Sequence, residues 1–224
     1  MNAEANEVAR RAAVFAALGD PGRLRVAEDL AAGDAMPSEL AARLGMSSNL
    51  LAHHLNVLES AGVVARMRSE GDRRRTYVHL MPDMGRLLEP PATEIPERVV
   101  FVCTANTARS QLAASLWETL SQLPVTSAGT HPAGAIDAGA RAVARRHGLR
   151  LAEEKPRSFE GVRSPGDLIV TVCDRAHEEL GATGAIHWSV PDPVRVGTKA
   201  AFESAFDDLD QRVTGLADRL ADVS

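Results

Sequence analysis

Cysteine is almost missing from this sequence: Cys103 and Cys173 are its only two. No disulfide framework can hold such a chain together, so any cysteine chemistry in it is expected to be catalytic or redox. Long apolar runs are missing as well. Nothing approaches the roughly 20 residues that a bilayer-spanning helix needs. The polar, acid-containing start MNAEANEVARR does not read as a secretory signal. The expectation is a cytoplasmic protein with no membrane association. No internal repeat or low-complexity tract is visible, and a 45% hydrophobic, 25% charged composition excludes disordered and fibrous classes. What remains is a globular chain of 224 residues, long for one ordinary domain and comfortable for two of about 100 residues each. A net charge of −5 looks wrong for a nucleic-acid binder, but a whole-chain sum hides local patches, so charge must be read by segment.

Proline marks the expected boundary. Four of the 12 prolines, Pro82, Pro90, Pro91 and Pro96, fall in PDMGRLLEPPATEIPE. Proline removes backbone donors and breaks helices, so this stretch reads as a linker at 89–97 between domains at 1–88 and 98–224. The first domain reads as mostly helical. A helix from Ala5 to Leu18 closes at Gly19, and a second is begun by Asp20 and Pro21, an N-cap with a first-turn proline. A third runs from Ser38 to Leu44 and ends at Gly45; a fourth is capped by Ser47, reaches about Ser60 and stops at Gly62. VVARMRSEGDRRRTYVHL then supplies two β-prone runs around Glu70-Gly71-Asp72, a hairpin. Helices, a tight turn and a hairpin in this order describe a winged helix-turn-helix.

After the boundary, strand and helix alternate: VVFVC, a helix from Ser110, VTSAGT, a helix from Asp137 to His147, DLIVTVC, AIHWSV, and a last helix from Lys199 to Leu220. That pattern implies a parallel sheet covered on both faces, giving an α/β class for the second domain. Reactive groups in such sheets gather at the carboxyl ends of strands, where Cys103, Cys173 and Asp192 all fall.

On the fourth helix Leu51, Leu55 and Leu58 share one face, while Asn49, Ala52, His53 and Asn56 share the other, free to reach a DNA groove. Asparagine suits bidentate contacts with adenine, and Ser47 at the helix N-terminus suits a phosphate. The hairpin carries five arginines against two acids, and Arg73, Arg74 and Arg75 form a basic tip that can follow the DNA backbone. The plain alternative is a solvated hairpin in a protein–protein module. A metal reading of His53 and His54 is disfavoured, since adjacent helical residues point about 100° apart. FAALGDPGRLRVAEDL, SELAARLGMSSNLLAHHLNVLESAGVV and RRRTYVHL together resemble the ArsR-type winged-helix repressors over residues 8 to 80. The resemblance implies a homodimer formed through this domain on a palindromic double-stranded operator, released by an inducer. Metal-sensing members often carry cysteines on the helix before the recognition helix; Pro37 to Leu44 has none.

In the second domain VVFVCTANTARSQLA places Cys103 at a strand end, then a loop, then Arg109-Ser110 opening a helix. Such a loop turns backbone N–H groups inward, and with the helix dipole it makes an anion cradle from Thr104, Ala105, Asn106, Thr107, Ala108, Arg109 and Ser110. Arg109 offers a bidentate fork to a tetrahedral oxyanion, and the positive field favours a Cys103 thiolate. Cysteine and arginine at this spacing are a weak signal alone; the flanking strand and helix, Ser110 and the later Asp192-Pro193 give it weight. With SAGT (Ser127 to Thr130), these residues resemble the low-molecular-weight tyrosine phosphatase superfamily. LIVTVC ending in Cys173, and HWSVPDP, resemble its arsenate reductase branch. The resemblance spans about residues 98 to 222. It implies Cys103 as nucleophile, Arg109 and the loop as the arsenate or phosphate site, Ser110 bonded to the thiolate, Asn106 shaping the loop, Asp192 as general acid and Cys173 as the second thiol. No bound cofactor or metal is implied, but an external thiol reductant is: a low-molecular-weight thiol, or a glutaredoxin-like or thioredoxin-like partner. A third cysteine found in thioredoxin-coupled relatives is absent, DRAHEEL placing Leu180 near its position. Cys173 can also be read as a strand-end core thiol. Three functions follow: a fused repressor and arsenate reductase, a fused regulator with phosphatase activity, and a repressor whose second domain only senses an oxyanion.

Overall fold

The computed structural model describes residues 3–82, 84, 88, 95–152 and 154–221. They fall into two compact units. Residues 89–94 of the expected linker lie outside the described residues.

The first unit holds α1 (Ala3–Leu18), α2 (Pro21–Ala32), α3 (Pro37–Leu44), α4 (Ser48–Ser60), and the antiparallel pair β1 (Val64–Arg68) and β2 (Thr76–Leu80). The caps stand where the sequence placed them. Asp20 accepts a hydrogen bond from Arg23 N–H ahead of Pro21, and Ser47 accepts from Leu50 N–H at 3.3 Å. Gly45 ends α3 in the left-handed region that only glycine adopts without penalty. Leu51, Leu55 and Leu58 of α4 are buried with Val26, Leu30, Leu40 and Val78 in one core. Asn49, His53 and Asn56 stay on the exposed face. This is a helix-turn-helix followed by a hairpin.

The second unit is built on a four-stranded, all-parallel sheet in the order β4-β3-β5-β6. Its strands are β3 (Arg98–Cys103), β4 (Val125–Gly129), β5 (Asp167–Thr171) and β6 (Ile186–His187). Val99 to Val102 of β3 are fully buried, as expected for a central strand with helices on its faces. The β3–β4 crossover contains α5 (Arg109–Leu120), of which Arg109 to Trp117 are buried without a solvent stripe. Next come α6 (Ala138–Arg146), capped by Asp137, the short α7 (Phe159–Val162), and α8 (Asp174–Leu180) after β5. Last are α9 (Pro193–Val196) and α10 (Lys199–Ala221); α10 packs against α5 and α6 through Phe202, Phe206, Leu209, Val213 and Leu216. The string AIHWSV, expected to be a full strand, pairs only at Ile186 and His187. Beyond Thr171↔His187 the chain leaves the sheet, because Trp188, Val190 and Asp192 are drawn to other partners. Among the described residues no helix is long and apolar enough to cross a membrane.

Candidate active site

The end of β3 delivers Cys103 into a turn closed by α5. The turn's carbonyls face away from the sulfur: Cys103, Thr104, Ala105 and Thr107 accept from the N–H groups of Thr130, His131, Ala133 and Asp137 at 2.8–3.1 Å. The N–H side of the turn is therefore left toward Cys103 Sγ, where Asn106 N–H already donates at 3.2 Å. This is the geometry of an anion-binding nest. Ser110 Oγ lies 3.1 Å from the same sulfur.

Asn106 is the linchpin of the turn. Its φ of +55° makes it the only non-glycine in the left-handed region among the described residues, a conformation asparagine tolerates better than most. All four bonding positions of its buried amide are filled. Nδ2 donates to Ser110 Oγ at 2.8 Å and Ser127 Oγ at 2.9 Å; Oδ1 accepts from Arg157 N–H at 2.8 Å and Gln111 Nε2 at 3.2 Å. The SAGT string now has a physical meaning. Ser127 receives Asn106, and Gly129 must be glycine, since a Cβ there would stand 2.7 Å from Thr104 O and 3.0 Å from Asn106 N.

Arg109 is buried in the first turn of α5 and faces the segment after β6. Nη1 donates to Val190 O at 2.9 Å, and Nη2 lies 3.0 Å from Asp192 Oδ2. Burial disfavours its charge, but negative charge at the Cys173 and Cys103 sulfurs and on the Asp192 and Glu70 carboxylates outweighs that, and its pKa is raised. Asp192 also N-caps α9 through Val194 N–H at 3.0 Å, ahead of Pro193. Two carboxylates thus stand beside the Arg109 guanidinium, Asp192 and, with Oε2 3.5 Å from Nη1, Glu70, each partly open to solvent.

Cys173 lies two residues past β5 and caps α8, accepting from Ala176 N–H at 3.4 Å. Its Sγ lies 3.4 Å from Thr104 Oγ1 of the turn. Burial pushes this thiol up, Arg109 pulls it down and Cys103 pushes it up again; the net direction is upward. Both cysteines are free. The fold brings Cys103, Arg109, Asp192 and Cys173 together around one turn.

The family models match the same regions. One described as low molecular weight phosphotyrosine protein phosphatase matches residues 98–223, and one described as a helix-turn-helix domain matches residues 18–66. This chain belongs to the low molecular weight phosphotyrosine protein phosphatase family. It joins a phosphatase-family domain to an N-terminal ArsR-type helix-turn-helix domain. Among solved structures, arsenate reductase from Archaeoglobus fulgidus is 27% identical, covering 54% of this chain and 98% of that one, with a TM-score of 0.46. The tyrosine phosphatase Wzb from Escherichia coli K30, in complex with sulphate, is 24% identical over 56% of this chain and 99% of its own, with a TM-score of 0.51. YwlE arginine phosphatase from Geobacillus stearothermophilus is 23% identical over 57% and 95%, with a TM-score of 0.49. A search of curated proteins returned no match.

Several residues of this phosphatase-family site carry no motif that the sequence reading could use. Gln111, fully buried, donates to Asn106. Buried Asp174 holds His187 Nε2 at 3.1 Å, and Thr171 Oγ1 lies 3.0 Å from His187 Nδ1 and 3.2 Å from His177 Nδ1. The two imidazoles stack with centroids 4.1 Å apart. Burial works to raise the Asp174 carboxyl, but hydrogen bonds from His187 and Ser189 more than offset it and hold it below the usual range.

In the helix-turn-helix unit, Asn49 and His53 are exposed on α4, and Ser47 is its N-cap. Asn56 is exposed too, but its Oδ1 accepts from Arg66 Nη2 at 3.0 Å, so its amide is already engaged. Arg74 is exposed between β1 and β2 and Arg75 is half-buried; Arg73, also exposed, belongs with the rest of Ser69–Arg73 to the second compact unit. His54 turns inward beside Asp20, away from exposed His53. No group of three His, Cys, Asp or Glu side chains among the described residues is arranged to hold a metal ion.

Proposed function

We propose that the chain is a fused transcriptional regulator and arsenate reductase, and the observation that carries this reading is the second thiol beside the cradle. A phosphatase returns its cysteine by attack of water and has no use for Cys173; a reductase needs a second sulfur within reach of the first. Arsenate enters the turn between the N–H groups and Arg109. Cys103 Sγ attacks arsenic, and an arsenate oxygen departs as water with a proton from Asp192. Cys173 Sγ then attacks Cys103 Sγ. The sulfur–arsenic bond breaks, its electron pair stays on arsenic, and arsenite leaves while Cys103 and Cys173 join as a disulfide. An external thiol reductant, a low-molecular-weight thiol or a glutaredoxin-like or thioredoxin-like protein, restores both thiols.

Burial and Cys103 oppose ionisation of Cys173 in the resting site, while Arg109 favours it, so Arg109 serves the second attack as well as the anion. Double-stranded DNA is bound through Ser47, Asn49, His53 and Arg73 to Arg75, as a homodimer.

The family description favours one alternative: hydrolysis of a phosphoester by the same Cys103, Arg109 and Asp192. Cys173→Ser separates the two. Under the reductase reading this variant keeps aryl phosphate hydrolysis and oxyanion binding but loses arsenite release with a disulfide reductant. Full arsenate-dependent turnover of Cys173→Ser with every reductant tested removes Cys173 from the reaction. Absence of any arsenate-dependent thiol consumption by the native chain leaves the phosphatase.

A further inference from the structure

We propose that Gln111 is a positioning residue for Cys103, acting through Asn106 and Ser110. The inference rests on Cys103 being the nucleophile, and it holds for reductase and phosphatase alike. Gln111 sits in the first turn of α5 with no solvent exposure. Its Nε2 lies 3.2 Å from Asn106 Oδ1 and 3.3 Å from Asn106 O. Both are acceptors, so the amide has only one usable orientation, with its NH2 group toward Asn106. The other end is unsatisfied: Gln111 Oε1 is buried with no hydrogen-bond partner among the described residues. A side chain kept there for packing alone would be better apolar, because a buried acceptor without a donor destabilises the fold. What the amide contributes is therefore the contact of its NH2 group with Asn106.

That group begins a one-way series of donors. Gln111 Nε2, with Arg157 N–H, fixes Asn106 Oδ1 and thereby sets which way the asparagine amide faces. Asn106 Nδ2 then donates to Ser110 Oγ. With an incoming hydrogen on its oxygen, the Ser110 hydroxyl directs its own hydrogen at Cys103 Sγ, 3.1 Å away. Every donor points toward the sulfur, an arrangement that favours its anionic form. A reversed Asn106 amide would present oxygen to Ser110 and turn that hydroxyl away from the sulfur.

The test uses the full chain carrying Cys173→Ser, in which Cys103 is the one remaining thiol. Three quantities are read: the rate of Cys103 alkylation by iodoacetamide, the concentration of inorganic phosphate that halves that rate, and the thermal unfolding midpoint. Gln111→Met keeps the shape, removes the donor and removes the orphan acceptor. It is expected to unfold at or above the parent temperature and to alkylate about tenfold more slowly. The phosphate concentration should be unchanged, since Arg109 and the backbone turn are intact. Gln111→Glu, which sets an acceptor against two acceptors, should be slower still. Failure of Gln111→Met to fold, or a lowered midpoint with unchanged alkylation, assigns the residue to packing and overturns the proposal. So does an equal loss of phosphate binding. A parent that alkylates no faster than a free thiol and is not protected by phosphate instead overturns the nucleophile reading, and this inference with it.

Discussion

Replacing Asn106 should unfold the phosphatase-family unit more than any other single change in the turn. Asn106→Ala removes four buried hydrogen bonds, to Ser110, Ser127, Arg157 N–H and Gln111. At about 1 kcal/mol net each, they contribute about 4 kcal/mol. Alanine at φ +55° adds about 1 kcal/mol of backbone strain. The total is about 5 kcal/mol, comparable with the whole stability of a marginal domain. Asn106→Gly loses the same bonds without the strain and should be about 1 kcal/mol milder. Asn106→Asp keeps the acceptor but recruits the Ser110 and Ser127 hydroxyls as donors to itself, so it should retain more stability while stripping Ser110 from Cys103. The assay is urea unfolding followed by tryptophan fluorescence, which reports this unit because the only two tryptophans, Trp117 and Trp188, both lie in it. A loss below about 1 kcal/mol for Asn106→Ala, or a glycine variant no better than the alanine one, would refute the reasoning.

Three further perturbations have defined outcomes. Because the Asp174 carboxyl is held low in the folded protein, its stabilisation is present above the unfolded carboxylate value of about 4 and is lost as pH falls through the folded value; Asp174→Asn should therefore lower the urea midpoint at pH 7 and flatten its decline below about pH 4, and an unchanged acid profile contradicts this. Arg109→Lys loses the planar fork that meets Val190 O and Asp192, so inorganic phosphate should protect Cys103 from alkylation about thirtyfold less well, the equivalent of about 2 kcal/mol; equal protection would remove Arg109 from the anion site. On DNA, Asn49→Ala and His53→Ala should weaken operator binding by about 1–3 kcal/mol more than random-sequence binding, whereas Arg74→Ala weakens both alike; equal losses for all three in fluorescence anisotropy would show that α4 does not read bases.

The parts of this molecule legible in the sequence are those whose partners are neighbours along the chain. Asp20 and Pro21, Gly45, and Ser47 with Leu50 N–H act within a few residues, so local chemistry announces α2, the end of α3 and the start of α4. The turn from Cys103 to Ser110 is legible for the same reason. Gln111 lies one residue beyond it and reads as an ordinary helix former, because the partner that gives it meaning turns back from within the preceding loop. Asp174 and His187 are joined only because β5 and β6 are adjacent strands, a fact of sheet order that no local pattern contains. Asn56 errs the other way. Helical periodicity puts it on the exposed face of α4, where it lies, yet Arg66 from β1 takes its carbonyl oxygen.

The HWSVPDP string shows how a short segment links these levels. His187 still belongs to the sheet and bonds to Thr171 and Asp174, anchoring the segment beneath α8, where Cys173 is the cap. Trp188 leaves the sheet and buries its ring against Phe101 of β3, centroids 5.8 Å apart, which fixes the direction in which the chain departs. That departure carries Val190 O and the Asp192 carboxylate onto the two terminal nitrogens of Arg109. A continued strand would alternate these residues across the two faces of the sheet and carry them along its axis. Shortening β6 to two residues is thus what converts a sheet edge into one wall of the proposed oxyanion site. It also ties the residue proposed to protonate the leaving oxygen to the same segment that braces the turn holding the second thiol.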